Sequence, residues 1–410
     1  MGEASLRMAL GLLLLALAIG SVGGQPKVDP QTGLIRLLYM GDALMEPGFV
    51  TPIIAQDPMI RMTPVPVEFL TGKYASIQEA ARGLRLYFPR VKQQVVDGYD
   101  VVIIADAREP FFPRRFQGWI KEGVIDYGLG FLMAGGPQSF GGYEAWGHPS
   151  WEGSLVGDIL PVNCLRDWRW ANYRYHLVPD PAHEDHPLVR NIPWRQVFLF
   201  CRNRVTEKPG SVVVGRADRY PAGSPILTYM DIGKGRSEAF VFDWGGNGPQ
   251  DFHRWTYAPI VLSSMIYYAA KVKIPEDTSM FLRLRNQINK YFSLRMYVLS
   301  VIDFAEAFGA NMNKAEAALK EADEEKRAVV KLYVEGRYEE SLAKIASSLE
   351  HLEEVSRLAI QAKDQALTWV YIIEWFTVTG TGMLCGGILW TLMVRRSAYR
   401  EVATTRFGRR

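Results

Sequence analysis

Cysteine is scarce, with three residues in 410. None precedes Cys164, which excludes a lipid-modified cysteine behind an N-terminal leader. Cys385 falls inside an apolar run, so only Cys164 and Cys201 are open to a disulfide in an oxidising compartment; two buried thiols are the equal alternative. An excess of charge is also missing. Lys and Arg number 47 against 44 Asp and Glu, and the net charge of +3 gives no electrostatic footprint for nucleic acid. A chain that is 48% hydrophobic and 22% charged is globular rather than disordered, and its length exceeds one typical domain.

Long apolar runs are confined to the two ends. Met8 to Gly20 is apolar, preceded by Arg7 and followed by small residues through Gly24. It is shorter than the roughly 20 residues a crossing needs, so residues 1–24 read as a secretory signal, with a retained N-terminal anchor as the alternative. Ile372 to Val394 is apolar apart from Glu374 and several threonines, with Trp369, Tyr371 and Trp375 at its start and Trp390 near its end. That is the pattern of a transmembrane helix over 369–394 with aromatic belts. Arg395, Arg396, Arg400, Arg406, Arg409 and Arg410 follow, against Glu401 alone. The excess predicts a cytoplasmic tail over 395–410 and an outer location for everything before the crossing: a single-pass protein of the cell membrane whose first partner is the lipid bilayer. Gly382 and Gly386, four apart and so on one helix face, are candidates for helix packing and self-association.

Between the ends, short apolar runs alternate with helical stretches over residues 34–274. Leu34–Met40, Val65–Leu70, Val101–Ala105 and Gly130–Ala134 read as strands, the second an edge strand because of Pro64 and Pro66. Ser76–Gln94 has helical spacing with a possible break at Pro89. Val197–Cys201, Ser211–Val214, Pro225–Met230 and Glu238–Asp243 are further strands, Pro259–Ala270 is a closing helix, and residues 144–196 form an irregular insertion. Continuous apolar strands separated by helices indicate an α/β domain with a mainly parallel sheet. Residues 277–368 change character: Asp277 or Thr278 caps a helix, and Leu342, Ile345, Leu349, Leu352, Val355 and Ala359 keep helical spacing in a charged background. This predicts an α-helical stalk, its last helix running unbroken into the crossing.

The run Gly128-Leu-Gly-Phe-Leu-Met-Ala-Gly-Gly-Pro-Gln-Ser-Phe-Gly-Gly-Tyr143, with Asp158-Ile-Leu-Pro-Val162, Gly233-Lys-Gly-Arg236 and Val241-Phe-Asp-Trp244, resembles the class I glutamine amidotransferase-like group, in a degenerate membrane-anchored form. The resemblance covers residues 34–270 and implies a flavodoxin-like, doubly wound sheet. Amidotransferases of this fold carry a cysteine on a sharp strand-to-helix turn and a His-x-Glu pair near a late strand. The thiolate attacks the amide, and the histidine takes up and returns the proton. Here Gly135 and Gly136 stand where the cysteine would be, and Asp243-Trp244 where the pair would follow. No catalytic residue, cofactor or metal is therefore expected.

Other chemistry remains to be weighed. Asp42, Asp106, Gly135, Gly136 and Asp243 fall at strand ends, where open α/β sheets bind ligands, and Ser139 lies in the same glycine-rich loop. They are candidates for one crevice, against the plain alternative that each Asp caps a turn. His183 and His186 sit in a proline-rich loop packed by Leu188 and Ile192, unsuited to zinc. Trp146, Trp151, Trp168, Arg169 and Trp170 in the insertion are candidates for a protein-partner surface, or else pack against the domain's own sheet. The reading is a non-catalytic, membrane-anchored, extracytoplasmic binding or assembly protein. Two alternatives stay open: an outer hydrolase using Ser139 or the aspartate crevice, and a component of a solute-sensing receptor.

Overall fold

A computed structural model describes residues 25–46, 49–67, 76–143, 147–165, 173–244 and 250–407. The leader expected over 1–24 lies outside the described residues, as do Trp146, Trp168, Arg169 and Trp170. The chain divides into two units. One runs through Asn286 and also contains Val330–Ser341; the other comprises Gln287–Val329 and the chain from Leu342 onward.

The first unit is built on an eight-stranded sheet. Strand β1 (Ile35–Gly41) is followed by helix α1 (Thr51–Ala55), β2 (Ile60–Pro66), α2 (Ile77–Tyr87), α3 (Lys92–Gly98), β3 (Val101–Ala105), α4 (Arg114–Tyr127) and β4 (Gly130–Gly135). Then come α5 (Leu155–Ile159), β5 (Val162–Cys164), β6 (Arg174–Tyr175), β7 (Leu177–Pro179), β8 (Leu199–Phe200), β9 (Val205–Glu207), β10 (Val212–Ala217), β11 (Pro225–Ile232) and β12 (Gly235–Asp243). Helices α6 (Gln250–Arg254) and α7 (Ala258–Ala269) complete the series. The strand order is β2-β1-β3-β4-β12-β11-β10-β7. The first five strands are mutually parallel; the last three extend the sheet in antiparallel fashion. Every residue of β3 and β4 is buried, as a strand covered on both faces requires.

The second strand lies earlier than the sequence suggested, at Ile60–Pro66 rather than Val65–Leu70. It does occupy a sheet edge, where Pro64 and Pro66 cost no ladder hydrogen bond. The stretch Ser76–Gln94 is two helices, because Phe88 and Val91 on either side of Pro89 are extended. Ser76 and Glu79 form a reciprocal capping box at the start of α2. The insertion supplies β5 and β6, which pair with β9 and β8 beyond it in two small two-stranded sheets, and β7, which ends the main sheet.

An ion pair sealed from water closes this unit at the end of the sheet where β2 begins. Asp57, just past α1, meets Arg285 at 2.5 Å, and both side chains are buried. Tyr267 on α7 donates to the same carboxylate at 2.9 Å, and its hydroxyl lies 3.1 Å from that of Tyr333. Burial lowers the pKa of the Arg285 guanidinium, but Asp57, with Tyr333 and Tyr267, outweighs it and holds the pKa above the ordinary arginine value.

The second unit is helical. Helices α8 (Thr278–Ala307), α9 (Asn313–Val334) and α10 (Tyr338–Phe407) supply it, with α8 capped by Asp277 Oδ1, which accepts from the Ser279 and Met280 amides at 2.9 Å. Val298, Ile302 and Ala305 of α8, Leu319 and Ala322 of α9, and Ile345, Leu349, Leu352 and Val355 of α10 are among its buried residues. Arg295 grips Asp323 through two 2.7 Å hydrogen bonds. Helix α10 is 70 residues long, about 105 Å at 1.5 Å per residue. It is the one described helix long and apolar enough to cross a membrane, and none of its most apolar window is buried.

Two predictions follow from buried charge. Arg285→Met leaves the Asp57 carboxylate buried without its partner. Denaturant titration of the full chain in detergent should show a loss of about 3–5 kcal/mol, much of it regained when Asp57→Leu is added. Glu238 on β12 is fully buried with neither carboxylate oxygen hydrogen-bonded, and burial pushes its pKa well above the ordinary range. Because the folded value is the higher, its contribution is intact below the ordinary glutamate pKa and is lost as pH rises through the folded one. Glu238→Gln should therefore flatten the fall of Tm with rising pH above about 4.3. An identical pH profile in the variant would refute this.

Candidate functional site

Parallel strands deliver their last residues to one end of the sheet, and the polar candidates gather there. Tyr39 and Asp42 belong to the end of β1, Asp106 follows β3, Gly135 ends β4 and Asp243 ends β12. In register, Gly41 faces Ala105, and Gly135 faces Asp243 across the β4–β12 pair. Burial pushes the Tyr39 hydroxyl well above its ordinary pKa, and the carboxylates of Asp42, Asp106 and Asp243 push it further. Trp244 Nε1 donates to the Tyr39 hydroxyl at 3.1 Å.

The candidates for one crevice stand at the strand ends, but in the interior. Asp42 is 8% exposed, Asp106 4%, Asp243 1% and Ser139 not at all. The glycine-rich loop is folded down onto them. Asp106, held at a φ of +42°, accepts the Gln138 amide through Oδ1 at 2.8 Å. Asn203 grips the other side: its Oδ1 accepts the Gly136 amide at 2.9 Å, and its Nδ2 donates to the carbonyls of Gly136 (2.9 Å) and Ser139 (3.1 Å). Trp151 Nε1 donates to the carbonyls of Ala107 at 3.0 Å and Gln138 at 3.2 Å.

Two consequences bear on chemistry. The backbone amides of Gly136 and Gln138, which an oxyanion hole after this strand would draw on, are already bonded to Asn203 and Asp106. The space for a nucleophile is also filled. A Cβ at Gly135 would lie 2.3 Å from the Val241 carbonyl oxygen, and one at Gly136, where φ is +149°, 2.2 Å from Asp106 Oδ1. Neither position can carry a cysteine without moving the backbone or the acid. The Ser139 hydroxyl is buried, with no hydrogen-bond partner among the described residues. His148 points Nδ1 at the Pro137 carbonyl, 3.3 Å away, and burial lowers its pKa.

The remaining candidates take structural places. Trp151, offered above as a partner-surface residue, is fully buried against Phe112, with ring centroids 5.5 Å apart, because its indole staples the loop. Cys164 and Cys201 do not form a disulfide. Both are buried thiols; burial pushes Cys164 up to about 12 and raises Cys201 as well, so neither supplies a thiolate at neutral pH. His186 sits 2.9 Å from the Tyr268 hydroxyl, and burial pulls its pKa down to about 4, while Leu188 packs the loop beneath it. Among the described residues no group of three or more His, Cys, Asp or Glu is placed to hold a metal ion. Gly382 and Gly386 face open space on α10. Tyr39, Gln138, Asn203 and Trp244 were not singled out from the sequence. Asn203 carries no motif, and only the fold brings it 67 positions back to Gly136.

A mostly parallel sheet with polar residues collected at the strand ends defines an open α/β domain. Residues 87–268 match the family model GATase1_like, described as "Putative glutamine amidotransferase", and the chain carries a class I glutamine amidotransferase-like domain. No curated protein matches the chain. Solved structures similar to it include a β-galactosidase from Bacillus circulans sp. alkalophilus, with 12% identity over 62% of this chain and 32% of that one and a TM-score of 0.34. Another is the β-galactosidase from Rahnella sp. R3, with 14% identity over 65% and 36% and a TM-score of 0.35. A third is the mmIFT52 N-terminal domain, with 13% identity over 58% and 99% and a TM-score of 0.32. The chain spans about a third of the length of these two galactosidases.

Gly136→Ala tests how tightly the loop is closed. Gly153 also has a positive φ, +78°, but nothing within 4 Å of its would-be Cβ, so Gly153→Ala reports backbone strain alone. Strain is worth about 1–3 kcal/mol. The Gly136 variant should lose clearly more stability than the Gly153 variant in parallel denaturant titrations.

Proposed function

We propose that this chain is a membrane-anchored, extracytoplasmic binding or assembly protein whose amidotransferase-like domain does not hydrolyse glutamine. One observation carries the proposal: the turn after β4 presents two glycines whose side-chain space is occupied by the Val241 carbonyl and Asp106. Without a thiolate the amide carbon is not attacked, and without unbonded amides the resulting oxyanion is not held. What the domain keeps is a rigid, closed strand-end cluster suited to maintaining a surface.

Anchoring is supported by α10. Trp375, Phe376, Leu384 and Trp390 on it are more than 70% exposed, which a water-soluble helix would not tolerate as a continuous band. Lipid is the solvent that removes the penalty, and the arginines from Arg395 onward set the cytoplasmic end. The outer location of the domain follows from that orientation.

The full chain, purified from membranes, should release no ammonia from glutamine beyond a chain-free blank. It should stay with membranes through alkaline carbonate extraction and lose its α/β domain to protease added outside intact cells. Glutamine turnover that scales with protein would overturn the non-catalytic reading; release by carbonate would overturn the anchor.

A further inference from the structure

The apolar part of α10 is not smooth. Gly387 leaves a trough of about 530 Å3 on one face, walled by Met383, Leu384, Ile388, Thr391 and Leu392 and ending at Arg395. Thr391 Oγ1 donates to the Gly387 carbonyl at 2.7 Å, so the hydroxyl is bonded within the helix and the trough presents an apolar lining. From Met383 to Arg395 the helix rises about 18 Å, which is close to one leaflet of a hydrocarbon core about 30 Å thick. The backbone stays helical past the apolar run to Phe407. At 100° per residue, positions 395, 396, 400 and 406, all arginine, fall within an arc of about 140°, with Glu401 outside it.

We propose that this trough and the arginines beyond it bind one anionic phospholipid, an acyl chain lying over Gly387 and the phosphate resting on Arg395 and Arg396. The proposal rests on the membrane-crossing reading above. Orientation by positive charge needs arginines but no trough, and helix packing needs a trough but no cation at its end; a phospholipid needs both, one leaflet apart. A guanidinium suits the headgroup because it offers a planar pair of donors to phosphate oxygens.

The test is lipid selectivity of the full chain reconstituted in phosphatidylcholine vesicles, read by electron spin resonance of spin-labelled phosphatidylglycerol against spin-labelled phosphatidylcholine. The expected result is at least about fivefold preference for phosphatidylglycerol, the scale of one well-placed basic residue, weakening with salt. Arg395→Gln with Arg396→Gln should bring the preference close to unity. Gly387→Leu, which fills the trough and leaves every charge in place, should lower it as well. Equal retention of the two lipids, or a preference untouched by both variants, overturns the proposal. So does a Gly387→Leu variant that dissociates an oligomer while lipid selectivity holds, which would assign the trough to a partner helix. So does a preference lost only on removing a co-purified acidic protein. A chain that fails to float with the vesicles would instead sink the crossing itself.

Discussion

The architecture of the first unit depends on the buried contact between Asp57 and Arg285. A carboxylate and a guanidinium taken out of water each carry a desolvation cost of several kcal/mol, and they coexist only because each neutralises the other and hydroxyls fill the remaining lone pairs. The partners arrive from distant parts of the chain. Asp57 follows α1, Tyr267 lies on α7, Arg285 is near the start of α8 and Tyr333 near the end of α9. The ion pair therefore specifies that the roots of α8 and α9 belong to the α/β unit rather than to the helical one, which is where the chain in fact divides. A purely apolar contact in the same place would have been less exacting about register.

The same logic of satisfied polar groups governs the strand-end cluster. A glycine-rich loop beyond a parallel strand exposes several backbone amides, and in an enzyme they are kept unbonded for a developing negative charge. Here Asn203 and Asp106 bond them, and Trp151 ties down the far side of the loop. The glycines are required for this closeness: at Gly136 the backbone takes a positive φ and passes so near Asp106 that a methyl group would overlap its oxygen. Glycine thus marks a close approach of acid and backbone.

Much of the sheet was legible in the sequence because its strands are simple. Val101–Ala105 and Gly130–Ala134 are short apolar runs bounded by Asp and Gly, and both emerge as central strands, the second one residue longer. Pro64 and Pro66 announced an edge, yet the strand began five residues before its expected start, because Ile60-Arg61-Met62-Thr63 lacks the continuous apolar signal of a buried strand. The strand-end convergence of Asp42, Asp106 and Asp243 followed from topology. Their burial did not, and neither did the ties of Asn203 to Gly136 and Trp151 to Ala107, which span 67 and 44 positions. Trp151 illustrates the difficulty: an aromatic residue reads alike in sequence whether it anchors a partner or staples its own loop.

Along helix α10 the side chains change character while the backbone stays constant. Up to Ala359 it alternates buried aliphatic residues with charged ones, and ion pairs such as Lys344–Glu325 and Lys290–Glu353 join it to its neighbours. From Trp375 to Val394 there is no charged residue, and three of the four threonines bond back onto the helix. Thr377, Thr381 and Thr391 each donate to the carbonyl four residues earlier, at 2.7 Å. In water such back-bonding gains little, because solvent would serve the hydroxyl as well. In hydrocarbon an unbonded hydroxyl is costly, and the helix itself is the nearest acceptor. The pattern of threonines, as much as the hydrophobicity around them, supports the proposed crossing, and the backbone carries it without a break.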